Sequence, residues 1–562
     1  MKKISKHLLL FLMSAVFLIA CASEEKKPAE QQNAEASDTF TAPSSQFDSK
    51  EACLAAYVDV SNLIEKSGIT ENQRKLFAAM ATKNIDDKFA QQYVYNSIVN
   101  LDNSGIKFSK PIYMTANMGL VEETPTYELI LVAEVSNIDT LDTLTKSAGI
   151  YVNTDKDGVR YTSLQDNDLY LTVGYNNDYL TIVATNGGYD YSYNLFINAL
   201  ENANVDLSIF NNRDIALYAN FERIYDTMLA FNNQIKAKGS DMELLPAETQ
   251  MMIAQYLNNF EDLKMVTGLT FANGRIVLDA QFTGISDIFD PFNIFKASNN
   301  ANLKYIPNYA LGFANLSIDG DKMAEIINTL LTREVKANLA YNFGIPVNEF
   351  TTYVTIATDI IKSINGDMTI ALNNFDYSTV TMYDYEYDEY YTTETIKDIE
   401  TALIVNTDSN YIIENLKLIP SNVLPLKERV KDSLYTAYFD GNEINFGQKD
   451  STFFVGVNTL CDNDTRQNVE SKWASEFNGS LAYLVVDVQN ILNSNLGNLL
   501  RKEVYNDIEL REVFNMLNLV DSAWIVSKDA NNTELVLSFT DKNRNALEQI
   551  VSYVMGRMQN EF

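Results

Sequence analysis

The sequence predicts an α+β protein with two tandem related halves, each with antiparallel or mixed sheets covered on one face by helices. Strand-like runs lead directly into helix-like runs, and hairpin turn signals separate many of the strands. One short motif also recurs, in which Asp or Asn stands between two apolar residues, at Asp59, Asn220, Asn315 and Asp487. The alternation of long and short intervals between these positions divides the body into residues 49–300 and 301–562.

The first 20 residues have the composition of a secretory signal peptide. Lys2, Lys3 and Lys6 precede an apolar run from Leu8 to Ile19, which is too short to span a bilayer as a helix. The run ends in Leu18-Ile19-Ala20-Cys21, which resembles the bacterial lipobox, in which the cysteine is acylated and becomes the mature N-terminus. The sequence therefore predicts a lipoprotein held in a lipid bilayer by acyl chains, such as palmitate, on Cys21.

Residues 21–48 predict a flexible tether. They are rich in Glu, Lys, Gln, Ala, Ser and Pro and contain almost nothing apolar to bury. A coil of about 27 residues spans roughly 30 Å on average. Ala22 is not the aspartate that retains lipoproteins at the enterobacterial inner membrane, and Ser23-Glu24-Glu25 resembles the acidic surface-export signal of Bacteroidota. We expect a protein of the bacterial cell envelope that is anchored in the outer membrane. The sequence is compatible with a body that faces the cell surface and with one that faces the periplasm.

Several elements of the first half follow from local signals. Thr70-Glu71-Asn72-Gln73 has the spacing of a capping box and opens an amphipathic helix. Pro111 to Ala116 and Tyr127 to Val135 have the β-branched and aromatic content of strands. Asn273-Gly274 is a strong hairpin signal between two further strands.

The second half shows signals of the same kind. Asp319 or Asp321 can cap a helix that continues to Leu331, and Pro346 lies at the start of a helix that ends at Ile364. Thr369 to Phe375 is predicted to be a strand, and Asp440-Gly441 a hairpin turn. The chain closes with a predicted helix from Asp541 to Met558.

The composition excludes several common chemistries. The only histidine is His7, inside the predicted signal peptide, so the mature protein lacks Ser-His-Asp sites, Cys-His sites and His-ligated zinc. The phosphate-binding and nucleophile-elbow motifs are absent, and the formal net charge of −32 opposes nucleic acid binding. We therefore assign no catalytic residue, no cofactor, no nucleotide and no metal.

A pair of carboxylates could still support glycoside hydrolysis. Asp59 and Asp487 are the obvious candidates because each ends an apolar strand. Their counterparts Asn220 and Asn315 cannot titrate, whereas Asn and Asp are equally good at capping a helix. The interpretation as four helix caps is therefore favoured over catalysis.

Calcium is the metal that an acidic, histidine-free surface could still bind. The run from Asn153 to Gly158 imitates the start of an EF-hand loop, but the twelfth position is Leu164 where a glutamate is required. This run is better interpreted as a hairpin turn. Asp462-Asn463-Asp464 is a weaker candidate and is interpreted as a helix start.

Tyrosine and acidic residues alternate in one stretch of the second half, which predicts an exposed strand with an aromatic face. Such a face could contact a glycan or a protein, or the stretch could be a hairpin whose acidic edge prevents aggregation. The candidate contact residues are Tyr383, Tyr385, Tyr387, Tyr390 and Tyr391.

Two thiols remain once Cys21 is acylated. Export to an oxidising compartment permits a disulfide between Cys53 and Cys461. Two buried free cysteines are equally compatible with the sequence, which does not give the distance between them.

Three stretches resemble an uncharacterised family of large Bacteroidota envelope lipoproteins, known only as a domain of unknown function. They run from Ala55 to Gly68, from Leu101 to Ile106 with Pro111 to Tyr113 after it, and from Asn273 to Val277. The resemblance covers most of the mature chain. It implies an envelope location and a non-enzymatic role, and it supplies no active-site residues.

The expected function is a lipid-anchored binding or scaffolding module whose partner is an envelope protein or a glycan. The alternative is a histidine-independent carboxylate glycoside hydrolase or a glycan-binding protein.

Overall fold

The structure is a computed structural model in which 15 α-helices and 22 β-strands are described. The predicted signal peptide and nearly all of the predicted tether lie outside the described residues. Among the residues described, no helix combines the length and the apolar character needed to cross a bilayer. The described residues are 44–45, 50–83, 85, 88–121, 124–147, 150–155, 157–203, 207–210, 212–237, 263–284, 294–384, 386–408, 410–417, 425–430, 434–439, 442–449, 451–458, 467–505 and 507–561.

The chain divides into two compact units that are not consecutive. The first unit contains Met1–Ile288 together with Asp541–Phe562, and the second contains Phe289–Thr540. The 20 strands described between Leu54 and Phe539 all pair in antiparallel fashion. The predicted fold class of two tandem related halves with antiparallel or mixed sheets is therefore wrong, because the end of the chain returns to the first unit. The predicted domain bounds, 49–300 and 301–562, stay a prediction.

The strands of the first unit are joined mainly by hairpins. A short pair, β1 and β2, precedes them. The order across the sheet is β12-β11-β10-β3-β4-β5-β9-β8-β7-β6. The bounds are β1 Ser44–Ser45, β2 Lys50–Glu51, β3 Leu54–Val58, β4 Ile112–Val121, β5 Thr124–Glu134, β6 Asn153–Thr154, β7 Arg160–Asp166, β8 Leu169–Tyr175, β9 Tyr179–Thr185, β10 Ile215–Asn220, β11 Lys264–Ala272 and β12 Arg275–Thr283.

Helices cover both faces of this sheet. Ile112 and Tyr113 are neighbours on β4 and therefore point to opposite faces. Ile112 packs in one core with residues of α1, α2 and α3, and Tyr113 packs in another with residues of α5. The expectation of helices on one face only is therefore wrong. The bounds are α1 Val60–Ser67, α2 Glu71–Thr82, α3 Lys88–Val99, α4 Ile138–Ser147, α5 Tyr189–Glu201 and α6 Phe221–Ala237.

The second unit has its own run of ten strands. Their order is β22-β21-β20-β13-β14-β15-β19-β18-β17-β16. The bounds are β13 Gly312–Asp319, β14 Ile364–Asp384, β15 Glu389–Thr407, β16 Lys427–Val430, β17 Leu434–Phe439, β18 Asn442–Lys449, β19 Thr452–Val457, β20 Ala482–Asp487, β21 Val520–Ser527 and β22 Asn532–Phe539.

The helices of the second unit leave much of their own surface exposed, and its core is partly aromatic. Trp473 packs against Trp524 with ring centroids 5.1 Å apart, and Phe477 stacks on Tyr483 at 4.2 Å. The bounds are α7 Gly320–Leu330, α8 Arg333–Asn342, α9 Val347–Lys362, α10 Tyr411–Lys417, α11 Glu470–Phe477, α12 Val488–Asn493, α13 Asn495–Glu503 and α14 Ile508–Met516; α15 Ala546–Glu561 belongs to the first unit.

Candidate functional site

Three of the four recurring Asp and Asn residues are helix caps, as predicted. Asp59 directly follows β3, and its Oδ1 accepts from the backbone N–H of Asn62 at 3.0 Å. Asn220 Oδ1 accepts from the N–H of Arg223 at 3.1 Å, and Asp487 Oδ1 accepts from the third residue of its helix at 2.9 Å. In each case a strand leads directly into a helix, and the cap accepts from the N–H of the third helical residue, which has no acceptor within the helix.

Asn315 is not a cap, so the sequence interpretation is wrong at this position. It lies within β13 rather than at its end, and the cap of α7 is Asp319, whose Oδ1 accepts from the N–H of Lys322 at 3.3 Å. Asn315 is buried at 4% exposure. Its Oδ1 accepts from the hydroxyl of Thr369 at 2.6 Å, and its Nδ2 donates to Asp367 at 3.2 Å. The side chain therefore stabilises the pairing of β13 with β14 through a buried polar cluster.

A buried ion pair joins Asp214, directly before β10, to Lys66 of α1, and no sequence pattern indicates it. The Asp214 side chain has no exposed surface, and Lys66 Nζ lies 2.8 Å from both of its carboxylate oxygens. The backbone N–H of Phe271 donates to Asp214 Oδ2 at 2.6 Å. Burial raises the pKa of Asp214, whereas Lys66 and this N–H lower it. Lys66 and Asp214 lie 148 positions apart, so no local pattern marks the pair.

The predicted tyrosine surface lies on a long hairpin of β14 and β15. β13 pairs with β14 only as far as Leu372, and β19 pairs with β15 only from Thr401. The ribbon beyond these points, Asn374–Asp384 paired with Glu389–Glu400, extends about 35 Å. We call this segment the ribbon.

The tip of the ribbon exposes aromatic rings. Tyr387 is 70% exposed at the turn and Tyr390 is 76% exposed on the strand, with its ring packed edge-on against Tyr383 at 4.9 Å. The hydroxyl of Tyr383 donates to the Asp388 carboxylate, which raises the pKa of Tyr383. Tyr391, at 43% exposure, lies on the other face. Of the five predicted contact residues, Tyr385 lies outside the described residues.

Contacts with α13 hold the ribbon from its base to its midpoint, where Glu394 pairs with Thr379. Lys502 forms an ion pair with Glu394 on β15. Asn495 Nδ2 donates to Asp376 Oδ1 on β14 at 2.7 Å, and the same carboxylate pairs with Lys397 at 3.1 Å. These contacts fix the direction of the ribbon where it leaves the sheet. The exposed tyrosines of the tip lie farther along the ribbon than the last of these contacts. The sequence predicted the aromatic strand but not this support.

Asp487 also lines a polar cavity of about 660 Å³ at the ends of β20 and β21. Its Oδ2 is 3.0 Å from Lys472 Nζ, and the same ammonium is 3.6 Å from Asp521 Oδ2. The Asp487 and Asp521 side chains are 13% and 24% exposed. Lys472 Nζ also lies 5.0 Å above the ring of Trp473. One cation is thus shared by two carboxylates at the wall of a cavity.

Of the three cysteines, Cys53 lies among the described residues. Cys53 is buried at 3% exposure, directly before β3, and its backbone carbonyl accepts from the N–H of Asn220 at 2.9 Å. Cys461 and the lipidation residue Cys21 lie outside the described residues. The disulfide and the acylation therefore stay predictions.

The run that imitates an EF-hand forms the turn between β6 and β7, as interpreted from the sequence. Asp155 Oδ1 accepts from the N–H groups of Asp157 and Val159, each at 2.9 Å. Gly158 has φ of 80°, a conformation that favours glycine. Across the described part of the chain, no three His, Cys, Asp or Glu side chains are grouped closely enough to hold a metal ion.

Comparison with known proteins identifies a family but not an activity. Residues 49–547 match the model of a family described as a domain of unknown function, DUF4836. No curated protein and no solved structure matches the chain. Since the match covers most of the sequence, the chain belongs to the DUF4836 family.

Proposed function

We propose that this protein is a bacterial envelope lipoprotein, anchored in the outer membrane through acylated Cys21, that acts as a binding or scaffolding module. The basic start, the short apolar run and Leu18-Ile19-Ala20-Cys21 support the anchor. The resemblance to Bacteroidota lipoproteins supports the same location. The body would stand clear of the bilayer on the tether of residues 21–48.

The ribbon is the observation that carries the binding role. A two-stranded ribbon is only marginally stable in water on its own, yet this one presents Tyr387, Tyr390 and Tyr391 beyond its supported base. Exposed tyrosines give a large, rigid contact area at a low cost in conformational entropy. The ribbon therefore resembles a contact element for an envelope protein or a glycan more than a part of a reaction site.

Hydrolysis is less well supported because the candidate carboxylates have structural partners. Asp59 caps α1, and Asp487 caps α12 while it pairs with Lys472. Capping requires only an acceptor oxygen, which Asn supplies as well as Asp, and neither capping nor ion pairing requires proton transfer.

Acylation is tested with Cys21→Ala in the native host. Metabolic labelling with an alkyne analogue of palmitate should be lost, and the protein should leave the membrane fraction. Cys53→Ala is the matched control and should keep both properties, because Cys53 is buried. Membrane attachment that persists in Cys21→Ala would contradict the anchor, and protease shaving of intact cells would distinguish surface from periplasm.

The contact role of the ribbon is tested by photo-crosslinking in intact cells. A photoreactive phenylalanine analogue at position 387 or 390 should give discrete adducts. Tyr151 and Tyr341, which are 82% and 86% exposed outside the ribbon, provide matched control positions. Adducts of equal yield from all four positions, or from none, would argue against a contact surface on the ribbon.

A further inference from the structure

The polar cavity beside Lys472 has the size of a small-ligand site. Its volume of about 660 Å³ falls within the range of about 300 to 1,000 Å³ that is typical of ligand pockets. The first turn of α11 supplies Ser471 and Lys472, β20 ends there with Asp487, and β21 supplies its second residue, Asp521. The cavity lies within the second unit and is separate from the ribbon residues.

The charges of the cavity disfavour an ionic ligand. Lys472 lies 3.0 Å from Asp487 and 3.6 Å from Asp521, so it occupies the position that a ligand ammonium would take. The two carboxylates and one ammonium leave an excess of one negative charge, which repels anions. A neutral ligand avoids both the competition with Lys472 for the carboxylates and the repulsion by the excess negative charge.

Side-chain amides supply neutral hydrogen-bonding groups, and structural contacts hold them in place. Gln489 Nε2 donates to the carbonyl of Val520 at 2.6 Å, and Asn490 Nδ2 donates to the carbonyls of Asn308 and Ala310 at 2.9 Å each. These bonds use both N–H donors of Asn490 and one of Gln489, and each amide retains an oxygen that can accept.

A second amide pair offers donors. Asn308 Nδ2 donates to Gln467 Oε1 at 3.0 Å, so the NH2 group of Gln467 remains as a donor. Asn468 Oδ1 accepts from the N–H of Glu470 at 3.1 Å, which leaves its own NH2 group as another donor. Fixed donors and acceptors around one cavity match neighbouring hydroxyl groups, each of which donates and accepts.

We infer that this cavity is a binding site for a neutral carbohydrate, recognised by the side-chain amides of α12 and of the segment before α11, together with Lys472 and its two carboxylate partners. The inference concerns a different site from the proposed contact surface on the ribbon. A result that contradicts carbohydrate binding in the cavity therefore does not affect the proposed contact surface on the ribbon, and the reverse also holds.

The test uses the full soluble chain after the signal peptide and ligand-observed saturation-transfer NMR, with isothermal titration for any sugar that binds. Maltose, cellobiose and N,N′-diacetylchitobiose are the neutral disaccharide probes. Glucose, glucosamine and glucuronate form a matched set of neutral, cationic and anionic monosaccharides. Ser471→Trp fills the cavity from an exposed position, and Ser475→Trp places the same side chain on the same helix outside the cavity.

We expect saturable binding of one or more neutral sugars, preferred over both charged monosaccharides. Ser471→Trp should weaken this binding about tenfold or more, and Ser475→Trp should leave it unchanged. Lys472→Met should shift the preference toward glucosamine, because the two carboxylates then lose their cation. The inference is overturned if no neutral sugar binds, if a charged sugar binds more tightly, or if the two tryptophan variants behave alike while both keep the wild-type circular dichroism spectrum.

Discussion

Lys66→Met should destabilise the first unit far more than the loss of an ordinary surface lysine. The Asp214 side chain is fully buried, whereas that of Lys66 is 22% exposed, so the variant leaves a buried carboxylate without its cation. Removing one partner of a buried ion pair costs about 3 to 5 kcal/mol of unfolding free energy. Asn62 and the N–H of Phe271 still donate to Asp214, which places our expectation at the lower end of that range.

The loss of unfolding free energy in Lys66→Met should depend on pH in a defined direction. Burial already raises the pKa of Asp214. A carboxyl group with a raised pKa in the folded state contributes stability that is complete below its unfolded pKa and is lost as the pH rises through its folded pKa. Lys66→Met removes a group that lowers this pKa. The destabilisation should therefore be largest near neutral pH and shrink as the pH falls toward about 4.

Urea unfolding followed by circular dichroism measures the effect, and hydrogen exchange localises it. The N–H of Phe271 donates to the Asp214 side chain, and the N–H of Asp59 donates to the Asp214 carbonyl at 2.8 Å, so both amides should lose protection. Lys75→Met is the matched control, because Lys75 pairs with the exposed Glu71 and the loss of an exposed ion pair should change little. A loss below about 1 kcal/mol, or one that does not vary with pH, would refute the reasoning.

Three further predictions concern single side chains. Asp59→Asn should leave thermal stability almost unchanged and Asp59→Ala should cost about 1 kcal/mol in urea unfolding, so equal losses would exclude a capping role. Asn315→Leu should cost about 2 kcal/mol because Thr369 loses its acceptor, and a neutral result in the same assay would show that the buried cluster contributes nothing. Burial raises the pKa of Tyr93 to about 12, so unfolding free energy should fall as pH rises from about 10 to about 12. In an alkaline absorbance titration, Tyr93→Phe should show one fewer tyrosine that ionises late than the wild type. An unchanged titration curve would refute the raised pKa of Tyr93.

Local signals predicted local structure well. Asn273-Gly274 forms the turn of a hairpin in which Ala272 pairs with Arg275, and Gly274 has φ of 64°. Thr70 and Gln73 form the expected capping box, with the N–H of Thr70 donating to Gln73 Oε1 at 2.8 Å. Both outcomes depend on residues within a few positions of each other, where side-chain chemistry alone decides the backbone geometry.

Non-local features could not be predicted in the same way. Asn315 is flanked by apolar residues, as the three helix caps are. Its hydrogen-bond partners Asp367 and Thr369, however, lie on the neighbouring strand β14. The return of the last helix to the first unit places Asn545 Nδ2 3.1 Å from the carbonyl of Phe271, a contact 274 positions apart. The Lys472 cluster joins a helix to the ends of two strands. Such contacts depend on chain topology, which no short pattern specifies.

The aromatic core of the second unit also gives the protein an intrinsic tryptophan fluorescence signal that reports on that unit. Trp473 and Trp524 are the only tryptophans of the chain, and their rings lie 5.1 Å apart in that unit. Emission excited at the red edge of indole absorption therefore comes from the second unit alone, while the first unit contributes tyrosine signal. Since Lys472 Nζ lies 5.0 Å above the Trp473 ring, a molecule that displaces this ammonium would change the local field at the indole and shift its emission without any added label.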